Sequence, residues 1–272
     1  DQHGFYPADE SRQKAVLKQA QGAVFMSPLT RERYIECGLA EGDRSFAMSD
    51  SYPEDPRFYR KSDRFLPLDN RHGESSHQQK TLSLAHLGNL PEWRPIDSFV
   101  EALRRFRSLE GDHEPRILVN TYGYVYQKAK DMIASIPSLS QSFNFYPAVS
   151  HEESHLVAES SDIMLVMIGP RHTDNQPSKF FVYLGHAKPI LAIGPRGNPI
   201  ETIINRLEIG VYTIIGDEES IFNGIMELTN NYERFRQAFS VNKSELQEFS
   251  SRRVAERWCE ILDLVNRNSP QE

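Results

Sequence analysis

The stretch PSKFFVYLGHAKPILAIGP, residues 177–195, decides the fold. Pro177 stands where a first helical turn begins, Lys188 and Pro189 stop that helix, and residues 190–193 (ILAI) are a short apolar run of the kind buried in a parallel sheet. Upstream, DIMLVMI (162–168) is a second such run, followed by the polar loop 169–176. Strand, loop, helix and strand make one βαβ unit. In such a unit the loop after the first strand and the free N–H groups of the helix start form an anion site. Ser178 and Lys179, in that first turn, add a hydroxyl and an ammonium to the backbone donors. The plainer alternative is that Ser178 caps the helix and Lys179 is solvated.

The same alternation extends both ways. Before the central unit come a strand at 81–86 (TLSLAH), running into Leu87-Gly88-Asn89-Leu90, and a helix at 96–109 with Phe99, Ala102, Leu103 and Phe106 on one face. A strand at 116–120, a helix at 125–135, a strand at 143–146 and a helix at 152–160 come next; after the unit come a helix at 199–207, a strand at 210–214 and a helix at 218–228. This order predicts an α/β fold with a doubly wound, mainly parallel, Rossmann-like sheet. Its ligand loops lie at the carboxyl ends of the strands: Gly88 and Asn89, Tyr122-Gly123, 147–150 with Val149, and 169–176 with His172 and Asp174. Gly88 lets the backbone approach a phosphate or sugar, and Arg94 near the next helix can pair with its charge, although a lone glycine after a strand is usually a turn. Tyr122, in the run TYGY, either stacks a base or is a buried tyrosine near the sheet edge.

At the amino end, residues 8–22 suit a one-faced helix, 23–26 a short strand, Ser27 a cap for a helix running to 38, and 44–48 another strand. Residues 51–80 have little periodicity and much Pro, Asp, Ser and charge, so they read as an interdomain linker tacked down by Tyr52, Phe58, Tyr59 and Phe65. The tail 232–266 reads as helices, with Trp258, Ile261 and Leu264 apolar. The division expected is 1–50, 51–80, 81–230 and 231–272.

With 272 residues, 39% hydrophobic and 25% charged, the chain can bury a sizeable core. A net charge of −7 argues against a general nucleic-acid binder. Cys37 and Cys259 are far apart and lack metal spacing, which fits a reducing, cytoplasmic setting. No apolar segment approaches the length of a membrane span, so any membrane association is expected to be peripheral, at the inner face. The start, DQHGFYPADE, is not a signal peptide and has no initiator methionine, which suggests a chain that begins inside something larger.

One motif competes. His151-Glu152-Glu153-Ser154-His155 has the letters of the H-E-x-x-H zinc protease helix. Charged Glu153 and polar Ser154 stand where that helix needs apolar packing, and no third ligand comes at a typical spacing. A capping box between Ser150 and Glu153 explains the same letters. The expectation is no metal. His186, near the end of its helix, reads as a favourable dipole contact.

The pattern P-x-K-x-F-x-Y-L (177–184) followed by K-P-I-L-A (188–192) resembles the C-terminal domain of GT-B-fold glycosyltransferases, especially the family 4-type enzymes of bacterial polysaccharide synthesis. The resemblance covers nearly the whole chain and is strongest from 82 to 228. It implies a nucleotide-diphosphate sugar as donor and co-substrate, no other cofactor, and an acceptor sugar or lipid-linked glycan. It implies Arg94 and Lys179 as the groups holding and discharging the diphosphate, with Gly88, Asn89, Tyr122, Val149, Ser178 and Val182 lining the nucleotide. It further implies that residues 1–50 are the end of an N-terminal acceptor domain whose larger part, with the usual catalytic base, is missing, and that the tail packs back on it. Such enzymes carry a ribose-binding glutamate where this chain has Val182. That departure favours a second reading, a non-catalytic binding or assembly module.

Overall fold

The computed structural model describes residues 7–54, 81–109 and 116–268. The first segment carries α1 (Pro7–Gln19), β1 (Ala23–Phe25), α2 (Pro28–Glu36) and β2 (Ser45–Ala47), with β1 and β2 paired in parallel. Ser27 caps α2 as its spacing predicts, its hydroxyl accepting from Thr30 N at 3.0 Å. Of the aromatic residues expected to tack down the linker, Tyr52 docks, its N–H donating to Phe249 O and its hydroxyl to Leu246 O. Phe58, Tyr59 and Phe65 lie outside the described residues.

Next come β3 (Thr81–Leu87), α3 (Asp97–Ser108), β4 (Arg116–Tyr122), α4 (Gln127–Ala134), α5 (Pro137–Ser140), β5 (Phe143–Tyr146) and α6 (His151–Ser160). The chain continues with β6 (Ile163–Met167), α7 (Ser178–Gly185), β7 (Ile190–Gly194), α8 (Pro199–Leu207), β8 (Gly210–Ile214), α9 (Glu218–Asn230), α10 (Tyr232–Val241), α11 (Lys243–Leu246) and α12 (Ser251–Asn268). β3 to β8 form one parallel sheet in the order β5-β4-β3-β6-β7-β8. That is the doubly wound Rossmann-like arrangement, whose order reverses between β3 and β6.

Both faces of the sheet are covered, which is why β6 and β7 are continuous apolar runs. On one face the predicted stripe of α3 (Phe99, Ala102, Leu103, Phe106) is buried with Leu82, Leu84, Val119, Ile221 and Leu228. On the other, Val157, Phe180, Phe181, Tyr183, Leu184, Ile200, Ile204 and Phe239 close over Ala85, Met164, Val166 and Ala192. Each such side chain contributes about 2 kcal/mol by leaving water, so the two layers, not the short helices themselves, hold the fold.

Two departures from the expected elements have local causes. β3 and β4 run on to Leu87 and Tyr122 because these residues are in register with each other. α4 starts two residues late because Val125 bridges Leu90 and Tyr126 donates to Leu90 O. The tail is broken into three helices and a 3-10 turn, and on α12 Ile261 is buried (2% exposed) while Trp258 and Leu264 are 42% and 43% exposed.

Gly210 marks where β8 meets β7 most closely: a Cβ there would collide with the backbone of Ile190. Gly210→Ala is therefore expected to cost about 3 kcal/mol in urea unfolding, and a loss under about 0.5 kcal/mol would contradict that close approach.

Candidate functional site

At the switch point β3 and β6 are paired only at Leu84↔Ile163 and Ala85↔Met164, whereas β3 and β4 pair over all seven residues from Thr81 to Leu87. Past Ala85 the β6 side of β3 has no strand partner. Buried peptide groups still need one. α7 supplies it: the Tyr183 hydroxyl accepts from Leu87 N at 3.3 Å, and Lys179 Nζ donates to Leu87 O. Residues 179 and 183 are one helical turn apart, so a single face of α7 satisfies the end of β3.

Lys179 is thus neither solvated nor distant. It lies under Gly88, whose φ of +118° favours glycine and where a Cβ would meet the ammonium. Burial, with Arg94 nearby, lowers the Lys179 pKa to about 8. Burial also lowers that of the Arg94 guanidinium. Arg94 donates from Nη1 to Asn89 O at 3.1 Å and stacks 4.8 Å from the ring of Trp93. Beneath them His86 is fully buried, one ring nitrogen bonded to Leu165 O at 3.0 Å and Nε2 without a partner; burial, then Lys179, push its pKa down to about 3. His86 is neutral here, leaving the positive charge with Lys179 and Arg94.

The loop after β3 is held against the loop after β4. Gly123, at φ +131°, has room for no side chain, since a Cβ would lie 2.8 Å from Gly88 O. Gly88 N donates to Tyr122 O at 2.7 Å, and Tyr124 N donates to Asn89 Oδ1 at 2.9 Å. Tyr122 is buried, stacked on Tyr146 at 4.8 Å and 14°, with a hydroxyl that has no hydrogen-bond partner. Val149 packs, partly buried, on the core layer that contains Tyr122. Ser178 is exposed at the first residue of α7; Pro177 occupies the cap position, so the capping role open to Ser178 in the sequence is not taken. Val182 is partly buried, one turn beyond Lys179.

Loop 169–176 is anchored rather than free. The buried Asn198, which caps α8 by accepting from Ile200 N, donates from Nδ2 to the carbonyls of His172, Thr173 and Asn175 at 3.0 to 3.2 Å. His172 packs on Trp93 at 5.1 Å between ring centres. Asp174 faces α2: its carboxylate pairs with Arg33 at 3.0 Å and its carbonyl accepts from Ser27 and Thr30 hydroxyls. The structure therefore gathers Gly88, Asn89, Arg94, Tyr122 and Lys179 at the switch point and directs Asp174 away to the first segment.

Trp93, His86 and Asn198 were not among the expected site residues. Asn198 had a signal, an N-P pair opening a helix. His86 had one too, a lone histidine in an apolar run. Trp93 had none beyond its neighbour Arg94.

This is the fold of GT-B glycosyltransferases, and in open α/β sheets generally ligands lie in the crevice at such a switch point. No protein-family model matches the sequence, and no curated protein matches it either. Solved structures do. A sucrose-phosphate synthase from Thermosynechococcus elongatus superposes with a TM-score of 0.70 at 12% identity, covering 99% of this chain and 64% of that one. Anabaena HepE in complex with UDP gives 0.73 at 11%, covering 97% and 69%. TarM, from S. aureus, gives 0.66 at 15%, covering 98% and 47%. This chain thus spans between about half and about two thirds of the length of these proteins. At these identities the likeness concerns the fold.

Titration of Lys179 followed by NMR of its side chain is expected to give a midpoint near 8. Arg94→Ala should move that midpoint upward, because a like charge is removed; a midpoint in the ordinary lysine range in the parent protein would place the ammonium in water.

Proposed function

We propose that this chain is the donor-binding part of a glycosyltransferase that moves a sugar from a nucleoside-diphosphate donor to an acceptor sugar or lipid-linked glycan, in polysaccharide or glycoconjugate synthesis. The observation that carries the reading is the pair of cations, Lys179 and Arg94, beside the exposed backbone of Gly88 and Asn89 at the switch point. Solved neighbours include HepE with UDP and with UDP-glucose bound.

Lys179 uses one of its three N–H bonds on Leu87 O and keeps two for a phosphate. Arg94 adds a planar donor set held by Asn89 and Trp93. As the bond between sugar and diphosphate breaks, negative charge grows on the leaving phosphate, and fixed donors already in place stabilise it without reorganising. The stacked Tyr122 and Tyr146, with the 147–150 loop, form the wall available to a base. In this proposal residues 81–230 bind the donor, 51–80 link them to an acceptor-side unit that includes 1–50, and 231–272 run back toward it. The described residues contain no helix long and apolar enough to cross a membrane.

Val182 favours a second reading, a binding or assembly module without transfer activity, because an aliphatic side chain offers the ribose no acceptor. Val182→Glu tests the ground of this second reading: tighter nucleotide binding is expected where position 182 faces the ribose, and unchanged affinity would remove it from the site.

Calorimetric titration with uridine, guanosine, adenosine and thymidine diphosphates is expected to show saturable binding to one of them, weakened about tenfold in Lys179→Ala. Affinity should fall as pH rises through about 8, since the free ammonium is lost there while the phosphate-bound one is held charged. In Lys179→Ala that pH dependence should vanish. Binding that Lys179→Ala leaves intact would take the diphosphate away from α7.

A further inference from the structure

The capping box expected at the H-E-x-x-H letters is present. Glu153 N donates to Ser150 Oγ, and Ser150 N donates to Glu153 Oε2. Yet the fold gives these histidines a setting that their spacing along the chain does not disclose. His151 and His155 lie one turn apart on α6, with their Nε2 atoms 3.3 Å from each other. His186, which terminates α7, brings its Nε2 to 2.8 Å from Nδ1 of the same His155. Instead of making a simple dipole contact, His186 is the third member of a chain of imidazoles.

The 3.3 Å spacing is informative. Two imidazole nitrogens each about 2.05 Å from one ion are about 3.3 Å apart at a tetrahedral angle and about 2.9 Å apart at a right angle. The pair therefore already stands at the separation of two ligands on one tetrahedral ion. His155 is buried (2% exposed) and held from behind, whereas His151 is exposed and opens the pair to solvent. His186 takes the place that an outer hydrogen-bond partner takes around a metal-bound imidazole: with His155 Nδ1 donating to His186 Nε2, the His155 Nε2 lone pair is left facing His151. The neighbouring Glu152 supplies negative charge close to both rings.

We propose that His151 and His155 bind a divalent transition-metal ion of the zinc class through their Nε2 atoms, with His186 orienting His155 from behind and water completing the coordination. Among the described residues no group of three His, Cys, Asp or Glu side chains converges to hold a metal, and the two imidazoles are the ligands proposed. The proposal departs from the metal-free expectation, which rested on polar Glu153 and Ser154, on the capping box and on the lack of a third ligand along the chain. Its position at the first turn of α6 makes the ion a clamp on that turn, next to loop 147–150.

Cobalt(II) titration of the full chain tests this, because four-coordinate cobalt has visible bands that six-coordinate cobalt lacks. One equivalent of cobalt per chain is expected to bind with a dissociation constant in the micromolar range, to give four-coordinate bands, and to be displaced by zinc. His151→Gln, at an exposed position where the fold is retained and circular dichroism can check it, should abolish binding. His186→Phe, which leaves both ligands in place, should weaken it about tenfold or more. Absence of saturable binding below millimolar cobalt, six-coordinate spectra, or full binding in His151→Gln would each overturn the proposal. Unchanged affinity in His186→Phe would overturn the role of His186.

Discussion

The molecule depends on the half-open seam between β3 and β6. Its lower end is clasped: Asp162 accepts from both the N–H and the hydroxyl of Ser83, and Asp162 N donates back to Ser83. Two register pairs later the strands no longer share a ladder, and the peptide groups left over dictate the shape of the crevice. Leu87 would end with a bare N–H and a bare carbonyl inside the protein, at a cost of about 1–3 kcal/mol each. Tyr183 and Lys179 remove that cost, and in doing so draw an ammonium out of water into the crevice. The lowered pKa of Lys179 is the electrostatic trace of a solution to a hydrogen-bonding problem.

A second constraint joins the two sheets. Asn198 gathers three carbonyls of loop 169–176, and the same loop presents Asp174 to Arg33, Ser27 and Thr30 of the first segment. The Arg33–Asp174 pair is partly shielded, with side-chain exposures of 29% and 24%, so it is worth more than an open surface pair but is still screened by salt. One loop therefore packs on Trp93 at the crevice and on α2 beyond it. At the far end Val265 of α12 lies against Gly22, where a Cβ would come within 2.8 Å of it. The first segment is thus gripped at these two places and again where Tyr52 docks on Leu246 and Phe249.

Much of this was legible before any coordinates. α8 and β8 have the expected bounds because Asn198-Pro199 opens one and the apolar run from Gly210 defines the other. The buried runs around 162–168 and 190–193 were enough to predict a parallel sheet, since only strands covered on both faces are apolar throughout. What could not be read was where polar side chains end. Lys179 looks the same in sequence whether it is solvated or turned inward; its fate is decided by the end of a strand 92 residues away. His155 and His186 are 31 residues apart and meet only because α6 and α7 share one face of the sheet. Asp174 looked like a ligand-facing acid, but the partner that claims it lies 141 residues earlier. Four-residue α5 was too short to announce itself by periodicity.

The gap beside Leu87 is made by strand order and filled by the side chains of Lys179 and Tyr183, which bind main-chain atoms of Leu87. A hydrogen bond to a carbonyl is indifferent to which side chain that residue bears, and the close approach of residues 88 and 123 asks only for the lack of one. Nearly every other position around the crevice can therefore drift, provided the layers above and below remain apolar. That is how a chain can keep this architecture while sharing only 11 to 15% of its residues with sucrose-phosphate synthase, HepE and TarM. What this chain shares with them is a way of threading a sheet.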